Sequence, residues 1–74
     1  MISADKLTLL TNMPAVMLEM SLPAKRRPQL KTARFLGLTN AYEFCYAVTL
    51  ADGSEDKVFV GYDPTLDKVF GKMS

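Results

Sequence analysis

The sequence has no histidine and no tryptophan, and Cys45 is its single cysteine. Without histidine the chain cannot build a Ser-His or Cys-His catalytic pair, and it lacks the commonest protein metal ligand. A structural zinc site needs four ligands, and Cys45 is the one soft ligand available. A single thiol also excludes an internal disulfide framework. These absences predict a protein that is not an enzyme and that holds neither a metal ion nor a cofactor.

Long apolar runs and phosphate-binding glycine clusters are missing too. No apolar run approaches the roughly 18 residues of a membrane span, and the glycines at 37, 53, 61 and 71 form no phosphate-binding loop. Asp5 and Lys6 interrupt the apolar region that a signal peptide would need. We therefore expect a cytoplasmic protein without a membrane partner, or an extracytoplasmic one if the chain is a mature form.

The length and composition predict one small globular domain. Of the 74 residues, 49% are hydrophobic and 23% are charged, which is ordinary for a folded protein. A chain this short buries only about 60% of its unfolded surface. We therefore treat residues 1–74 as a single domain.

Alternating apolar residues predict a β-hairpin in the second half of the chain. Apolar side chains occupy every second position in two runs: Tyr42, Phe44, Tyr46, Val48 and Leu50, then Val58, Val60 and Tyr62. Because strand side chains alternate between faces, the register must place both runs on one face of the sheet. A three-residue loop at 52–54, with Gly53 free to adopt a positive φ, achieves this by pairing Val48 with Val58.

A third strand precedes the hairpin. Leu36 and Leu38 share the parity of the later apolar positions, and Asn40 stands at a natural turn. Pairing Leu36 with Phe44 makes residues 31–62 a three-stranded antiparallel β-meander. An apolar sheet face of this kind needs a helix across it to close a core.

Residues 1–22 are predicted to supply that cover. Ser3 is a good helix cap, and Pro14 ends or kinks the first helix. Residues 14–22 alternate as a strand would, but Ala, Met, Leu and Glu favour a helix, and both readings stay open with helix preferred. We expect these helices on the even-numbered face of the sheet, with a core of Leu7, Leu10, Val16 or Met17, Leu36, Phe44, Tyr46, Val48, Val58 and Val60.

Residues 63–74 form a C-terminal extension with two alternative structures. Lys68, Val69 and Phe70 suit a short strand that pairs back onto the third strand. Alternatively, Asp63 caps one helical turn that begins at Pro64. Either structure places Val69 or Phe70 against the body of the domain.

The order of these elements resembles the small PepSY-type domains. The resemblance covers about residues 14–71, although the family usually has glycine where Asp67 stands. It is carried by a proline-led helix, a basic strand, Tyr42-Glu43, Leu50-Ala51-Asp52-Gly53, Val58, Asp63 and Lys68-Val69. It implies a helix over a three-stranded antiparallel sheet, and an inhibitory or protein-binding role instead of catalysis.

The basic residues are concentrated in one segment that contains no acid. It runs over residues 25–34, holds five of the nine cations and overlaps the predicted linker at residues 23–30. The segment is either a solvated linker, a protein-binding patch or a nucleic-acid contact. Its members are Lys25, Arg26, Arg27, Lys31 and Arg34.

The odd-numbered sheet face is the strongest candidate for a contact site. On the predicted register Phe35 pairs with Cys45, and Ala47 pairs with Phe59, so an apolar centre lies where a solvated sheet should be polar. Either the N-terminal helix or residues 69–73 cover this face, or it binds a partner protein or a second copy of the chain. The leading hypothesis is a non-enzymatic protein-binding or regulatory, inhibitor-like module. The alternative is a small nucleic-acid-binding protein that uses residues 25–34.

Overall fold

The computed structural model describes residues 2–74, which form two α-helices and a sheet of four β-strands. A single 3-10 turn, Ala24–Arg26, separates the helices from the sheet. The α+β class is therefore confirmed, with four strands where three were expected. The elements are α1 Ala4–Thr11, α2 Ala15–Ser21, β1 Leu30–Leu38, β2 Phe44–Leu50, β3 Glu55–Asp63 and β4 Lys68–Met73.

The sheet is an antiparallel meander in the order β1-β2-β3-β4. Its fourth strand is the C-terminal extension, which pairs with β3 along its whole length, with Val60 opposite Gly71. The turn before β4 is fixed by the Asp63 carboxylate, which accepts hydrogen bonds from the backbone N–H of Thr65 (2.9 Å) and of Leu66 (3.3 Å). Of the two structures expected for this segment, the strand is the one that forms.

The β2–β3 hairpin has the predicted faces but a different register. Phe44 pairs with Val60 and Tyr46 with Val58, whereas Val48 lies opposite Asp56 and not Val58. The loop has three residues as expected, but it spans 51–53, because the positive φ of +89° falls on the last loop residue, Gly53. Moving the loop by one residue shifts the register by two, so every side chain keeps its face.

Strand β1 contains two bulges, and the residues between them face the opposite way from the prediction. The pairing with β2 shifts between Leu30 and Thr32 and again between Phe35 and Gly37. Each bulge inserts an unpaired residue, so Phe35 comes opposite Tyr46 and turns toward the helices. Its ring centroid lies 5.3 Å from that of Tyr46. The prediction that Phe35 lies beside Cys45 is therefore wrong, as is the prediction that Leu36 is buried, since Leu36 is 46% exposed.

Both helices are short and each buries one side. The Ser3 hydroxyl caps α1 by accepting from the backbone N–H of Lys6, as predicted. Residues 15–21 are helical, which confirms the helix over the strand. Leu18 and Leu22, four positions apart, are buried, so α2 turns Val16 and Met17 outward, contrary to prediction. No helix among residues 2–74 is long and apolar enough to span a membrane.

The helices and one side of the sheet enclose the core. We call this side, with Phe35 of β1 and the even-numbered residues of β2 and β3, the inner face. In α1 only Leu10 is buried, and Leu7 is 44% exposed, so the prediction of Leu7 as a core residue is wrong. The buried cluster comprises Leu10, Met13, Leu18, Leu22, Leu30, Phe44, Tyr46, Val48, Val58 and Val60.

Helix α2 packs against both edge strands. At β1, the Glu19 carboxylate accepts a hydrogen bond of 2.8 Å from the backbone N–H of Leu30. At β4, α2 comes so close to the buried Gly71 that an added Cβ would clash with the Ser21 hydroxyl and lie 3.4 Å from Leu22 Cδ2. The helix is thus fixed across the inner face and away from the opposite side of the sheet.

Candidate functional site

The side of the sheet opposite the helices, which we call the outer face, has an apolar centre. Cys45 and Ala47 of β2 lie there beside Phe59 of β3, because strand side chains alternate and their even-numbered neighbours face the core. Phe70 of β4 adds a second ring and is 46% exposed. The buried helical side chains all belong to the inner-face cluster. Residues 69–73 extend the sheet and do not fold across this face.

Two cations flank Ala47 in the middle of the outer face. Arg34 of β1 and Lys57 of β3 are both direct cross-strand partners of Ala47. With neighbouring strands about 4.8 Å apart, their Cα atoms are separated by about 10 Å. Neither side chain forms an ion pair with another described residue. Both are exposed, and their flexible side chains can converge on a group that contacts Ala47.

These residues line an open depression of about 820 Å³. Its floor is the small side chain of Ala47, and Phe59 supplies an aromatic wall. Thr32 and Thr49 lie in the next row across the strands, with their hydroxyl oxygens 2.9 Å apart. The depression therefore offers apolar contact, two positive charges and hydroxyl groups, and its lining also includes the acidic residues Glu55 and Asp56.

Acidic groups lie at both ends of the outer face. At one end, Glu55 of β3 lies opposite Thr49 and lines the depression. At the other end, Glu43 and Lys72 form an ion pair of 3.1 Å. The rim thus mixes both charge signs.

Cys45 is the least exposed residue of the outer face. It lies between its cross-strand partners Gly37 and Phe59, and 9% of its surface is exposed. Its position on this face agrees with the predicted parity of β2, and its contribution to a contact surface stays a prediction. Its low exposure makes it part of the floor and not of the rim.

The predicted basic segment does not form a single surface. The guanidinium of Arg27 donates hydrogen bonds to the carbonyl oxygens of Leu22 (2.9 Å) and Met20 (3.2 Å) at the end of α2. Lys31 lines a groove beside α2 with Val16 and Glu19. Arg34 lines the outer depression instead. Lys25 and Arg26 are exposed on the 3-10 turn.

The structure brings together three of the four predicted contact residues. Cys45, Ala47 and Phe59 share the outer face, whereas Phe35 is on the inner face. Phe70 was missed as a site residue. The alternation of Lys68, Phe70 and Lys72 was the available signal, because it places all three on one face once the segment is read as a strand.

Among residues 2–74, no three His, Cys, Asp or Glu side chains are grouped so that they could hold a metal ion. Comparisons of the chain with models of protein families, with curated proteins and with solved structures found no match.

Proposed function

We propose that this chain is a non-enzymatic protein-binding module whose contact surface is the outer face of the sheet. The observation that carries the proposal is an apolar centre on the side of the sheet that the helices leave open. Partly buried Phe59 and 46%-exposed Phe70 are aromatic side chains of the type enriched at protein interfaces. An apolar centre within a polar rim is the usual layout of a protein contact.

The charge pattern favours a protein over a nucleic acid as the partner. Arg34 and Lys57 are positive, but Glu55 lies at one end of the same face, and at the other end Glu43 is ion-paired with Lys72. A polyanion would meet repulsion at the Glu55 end, whereas a protein surface can present complementary charges of either sign. The resemblance to PepSY-type domains supports the same proposal, because the role that it implies is inhibitory or protein-binding.

The outer face can be blocked with one substitution, Ala47→Glu. The new side chain would project into the depression and place its carboxylate between Arg34 and Lys57. Because opposite charges on neighbouring strands are favourable by about 0.2–1 kcal/mol, the fold should be retained. Val16→Glu is the matched control, since it makes the same change of charge at an apolar position of α2 that is 60% exposed.

Affinity capture with the parent chain and both variants tests the proposal. We expect a protein that is retained by the parent and by Val16→Glu but lost with Ala47→Glu, and whose purified form binds the parent in calorimetry. Circular dichroism should show equal folding of the three chains. If every captured protein is retained equally by Ala47→Glu, the outer face is not the contact surface.

The competing hypothesis is nucleic-acid binding through the basic residues. The observation that favours it is that Arg34 and Lys57 line the same depression. Binding to phosphates should weaken steeply between about 50 and 200 mM salt. A gel-shift assay with mixed DNA and RNA at low salt, repeated with Arg34→Glu, separates the two. A shift that disappears with Arg34→Glu would replace the protein-binding proposal.

A further inference from the structure

The three hairpin loops of the sheet each contain one residue with a positive φ. These residues are Tyr42 at +60°, Gly53 at +89° and Asp67 at +48°. Glycine adopts this conformation freely, and Asp is among the residues that tolerate it. A bulky side chain such as tyrosine is rarely found there. Tyr42 is therefore the exception among the three.

Two of these loops have the same backbone geometry, so they can be compared directly. In the loop before β2, Thr39 N–H donates to Glu43 O (2.8 Å) and Tyr42 N–H to Thr39 O (3.0 Å). The loop before β3 repeats this pattern at Leu50 and Ser54, with Gly53 in the position of Tyr42. A loop of this type places a left-handed residue, usually glycine, at its last position. The chain meets that requirement in one loop and departs from it in the other.

No intramolecular contact accounts for the tyrosine. Its side chain is 83% exposed, the highest value among the large exposed hydrophobic residues. It takes part in none of the aromatic or cation–π contacts of residues 2–74. By contrast, Asp67 accepts a hydrogen bond of 2.5 Å from the Tyr62 hydroxyl and pairs with Lys6 at 3.1 Å. The strained backbone of Tyr42 thus presents an aromatic ring to solvent.

The loop that holds Tyr42 is hydrogen-bonded and follows an uncharged stretch of β1, and the charge of Glu43, the next residue, is paired with Lys72. The Thr39 hydroxyl accepts hydrogen bonds of 3.2 Å from the backbone N–H groups of Ala41 and Glu43, which fixes the loop. Leu36 and Leu38 on the adjoining strand are 46% and 56% exposed. Residues 35–42 carry no charged side chain. A rigid loop that holds an exposed aromatic side chain loses little conformational entropy on binding.

From this we infer that Tyr42 is the anchor of a second protein contact site at the β1–β2 loop. Its partner presents an uncharged apolar pocket that takes the ring, with a hydrogen-bond acceptor for the hydroxyl. Leu38 and Leu36 then contact the apolar margin of that pocket. This site lies apart from the depression around Ala47, and it stands whether or not the outer face binds a protein.

Thermal unfolding tests whether Tyr42 serves the fold. Tyr42→Asn keeps a residue that tolerates a positive φ and removes the strain, so Tm should rise by about 2–5 °C. Gly53→Tyr is the matched control, because it creates the same strain in the equivalent loop, and it should lower Tm by about 4 °C or more. A lower Tm for Tyr42→Asn than for the parent would show that the ring supports the fold, and the inference would be overturned.

Photo-crosslinking tests whether Tyr42 makes the contact. The photoreactive residue p-benzoyl-phenylalanine replaces Tyr42 in one chain and Leu66 in a control, since Leu66 is 66% exposed in the turn between β3 and β4. Both chains are irradiated in a lysate of the cells that make the protein. We expect a protein adduct at position 42 that is absent at position 66. Unlabelled parent chain should abolish it, and unlabelled Tyr42→Asn chain should not.

Competition with unlabelled variant chains also distinguishes the site at Tyr42 from the outer face. Unlabelled Ala47→Glu chain should abolish the adduct at position 42 as well as the parent does, because it leaves the β1–β2 loop unchanged. The inference is overturned if position 42 gives no adduct that the parent displaces. It is also overturned if the displaceable adduct is a lipid or a second copy of this chain.

Discussion

The hydroxyl of Tyr46 in the central strand accepts a buried hydrogen bond of 2.9 Å from the backbone N–H of Met13. The same hydroxyl donates to the carbonyl oxygen of Leu10 at the end of α1. One side chain of the sheet thereby satisfies two backbone groups at the junction between the helices. Tyr46 links the helical layer to the sheet by hydrogen bonds as well as by packing.

Tyr46→Phe should lower the free energy of unfolding by about 1–3 kcal/mol. The substitution retains the ring but leaves the buried N–H of Met13 without a partner, and an unpaired buried donor carries that penalty. Urea denaturation of parent and variant measures the difference. A change below about 0.5 kcal/mol would mean that Met13 N–H finds another acceptor.

The same tyrosine should make the fold sensitive to high pH. Burial raises the pKa of Tyr46 above its ordinary value of 10.0. The folded state therefore keeps the proton where the unfolded state has released it, so this contribution is complete below about pH 10 and is lost as pH rises through the folded pKa. Unfolding midpoints from pH 8 to 11 should fall more steeply for the parent than for Tyr46→Phe. Equal slopes would contradict this assignment.

The two phenylalanines predicted to share a face should respond differently to truncation. Phe35→Ala removes a ring packed on Tyr46 and Phe44 and should cost about 2–4 kcal/mol. Phe59→Ala removes a partly buried ring of the outer face and should cost about 1 kcal/mol. Chemical denaturation of both variants makes the comparison. Equal losses would mean that the outer face is as well packed as the core.

Arg27 should matter to the fold, whereas its neighbour Arg26 should not. Arg27→Ala removes the guanidinium that binds the carbonyl oxygens of Met20 and Leu22, and should cost about 1 kcal/mol. Arg26→Ala makes the same change of charge on an exposed residue and should stay within about 0.5 kcal/mol of the parent. If the two variants unfold at the same urea concentration, the interaction with the end of α2 contributes nothing.

Acid should weaken the link between α1 and the β3–β4 turn. The hydrogen bond from Tyr62 lowers the pKa of Asp67, and Lys6 adds to this effect. Because the folded pKa is depressed, this stabilisation is present above the unfolded value of about 3.9 and is lost as pH falls through the folded pKa. Between pH 5 and 2, Asp67→Asn should lose less stability than the parent. Asp52 and Asp56 also have lowered pKa values, so a smaller slope remains.

Alternation along the chain predicted the buried face of β2 and β3 but not their register. The period of two places Phe44, Tyr46 and Val60 on one face whatever the loop position. The loop type decides the register, and the left-handed residue belongs at its third position. Reading Gly53 as the middle residue of the loop moved each pairing by two. Gly53 at the end of the loop gives the observed structure.

The bulges in β1 were not predictable from the alternation pattern. The insertion at Lys31 leaves no compositional signal, whereas the one at Leu36 precedes Gly37, and a glycine inside a strand often marks a bulge. Together the two insertions move Phe35 to the inner face. The N-terminal half was also hard to assign, because a helix as short as α2 shows little periodicity. Leu18 and Leu22 differ from Val16 and Met20 only in which side packs on the sheet. Tertiary packing therefore determines which side of α2 is buried.

The candidate site was predictable where it depends on β2 and β3 alone. Cys45, Ala47 and Phe59 follow from strand parity, whereas Phe70 and the pairing of Arg34 with Ala47 required the fourth strand and the β1 bulges. The basic segment was predicted as one surface because its residues are close in sequence, and the fold separates them. Neighbours in sequence such as Arg27 and Arg34 face different parts of the molecule once the strand begins.

The 9%-exposed thiol in the floor of the outer face is a natural probe of local opening of the sheet. Cys45 is the single cysteine, so a thiol reagent added to the native chain modifies one site, and it does so each time β2 becomes accessible. The modification rate therefore reports local opening of the central strand without any engineered label. A molecule that settles over Ala47 and Phe59 would slow this reaction, and the concentration that halves the rate would give its affinity.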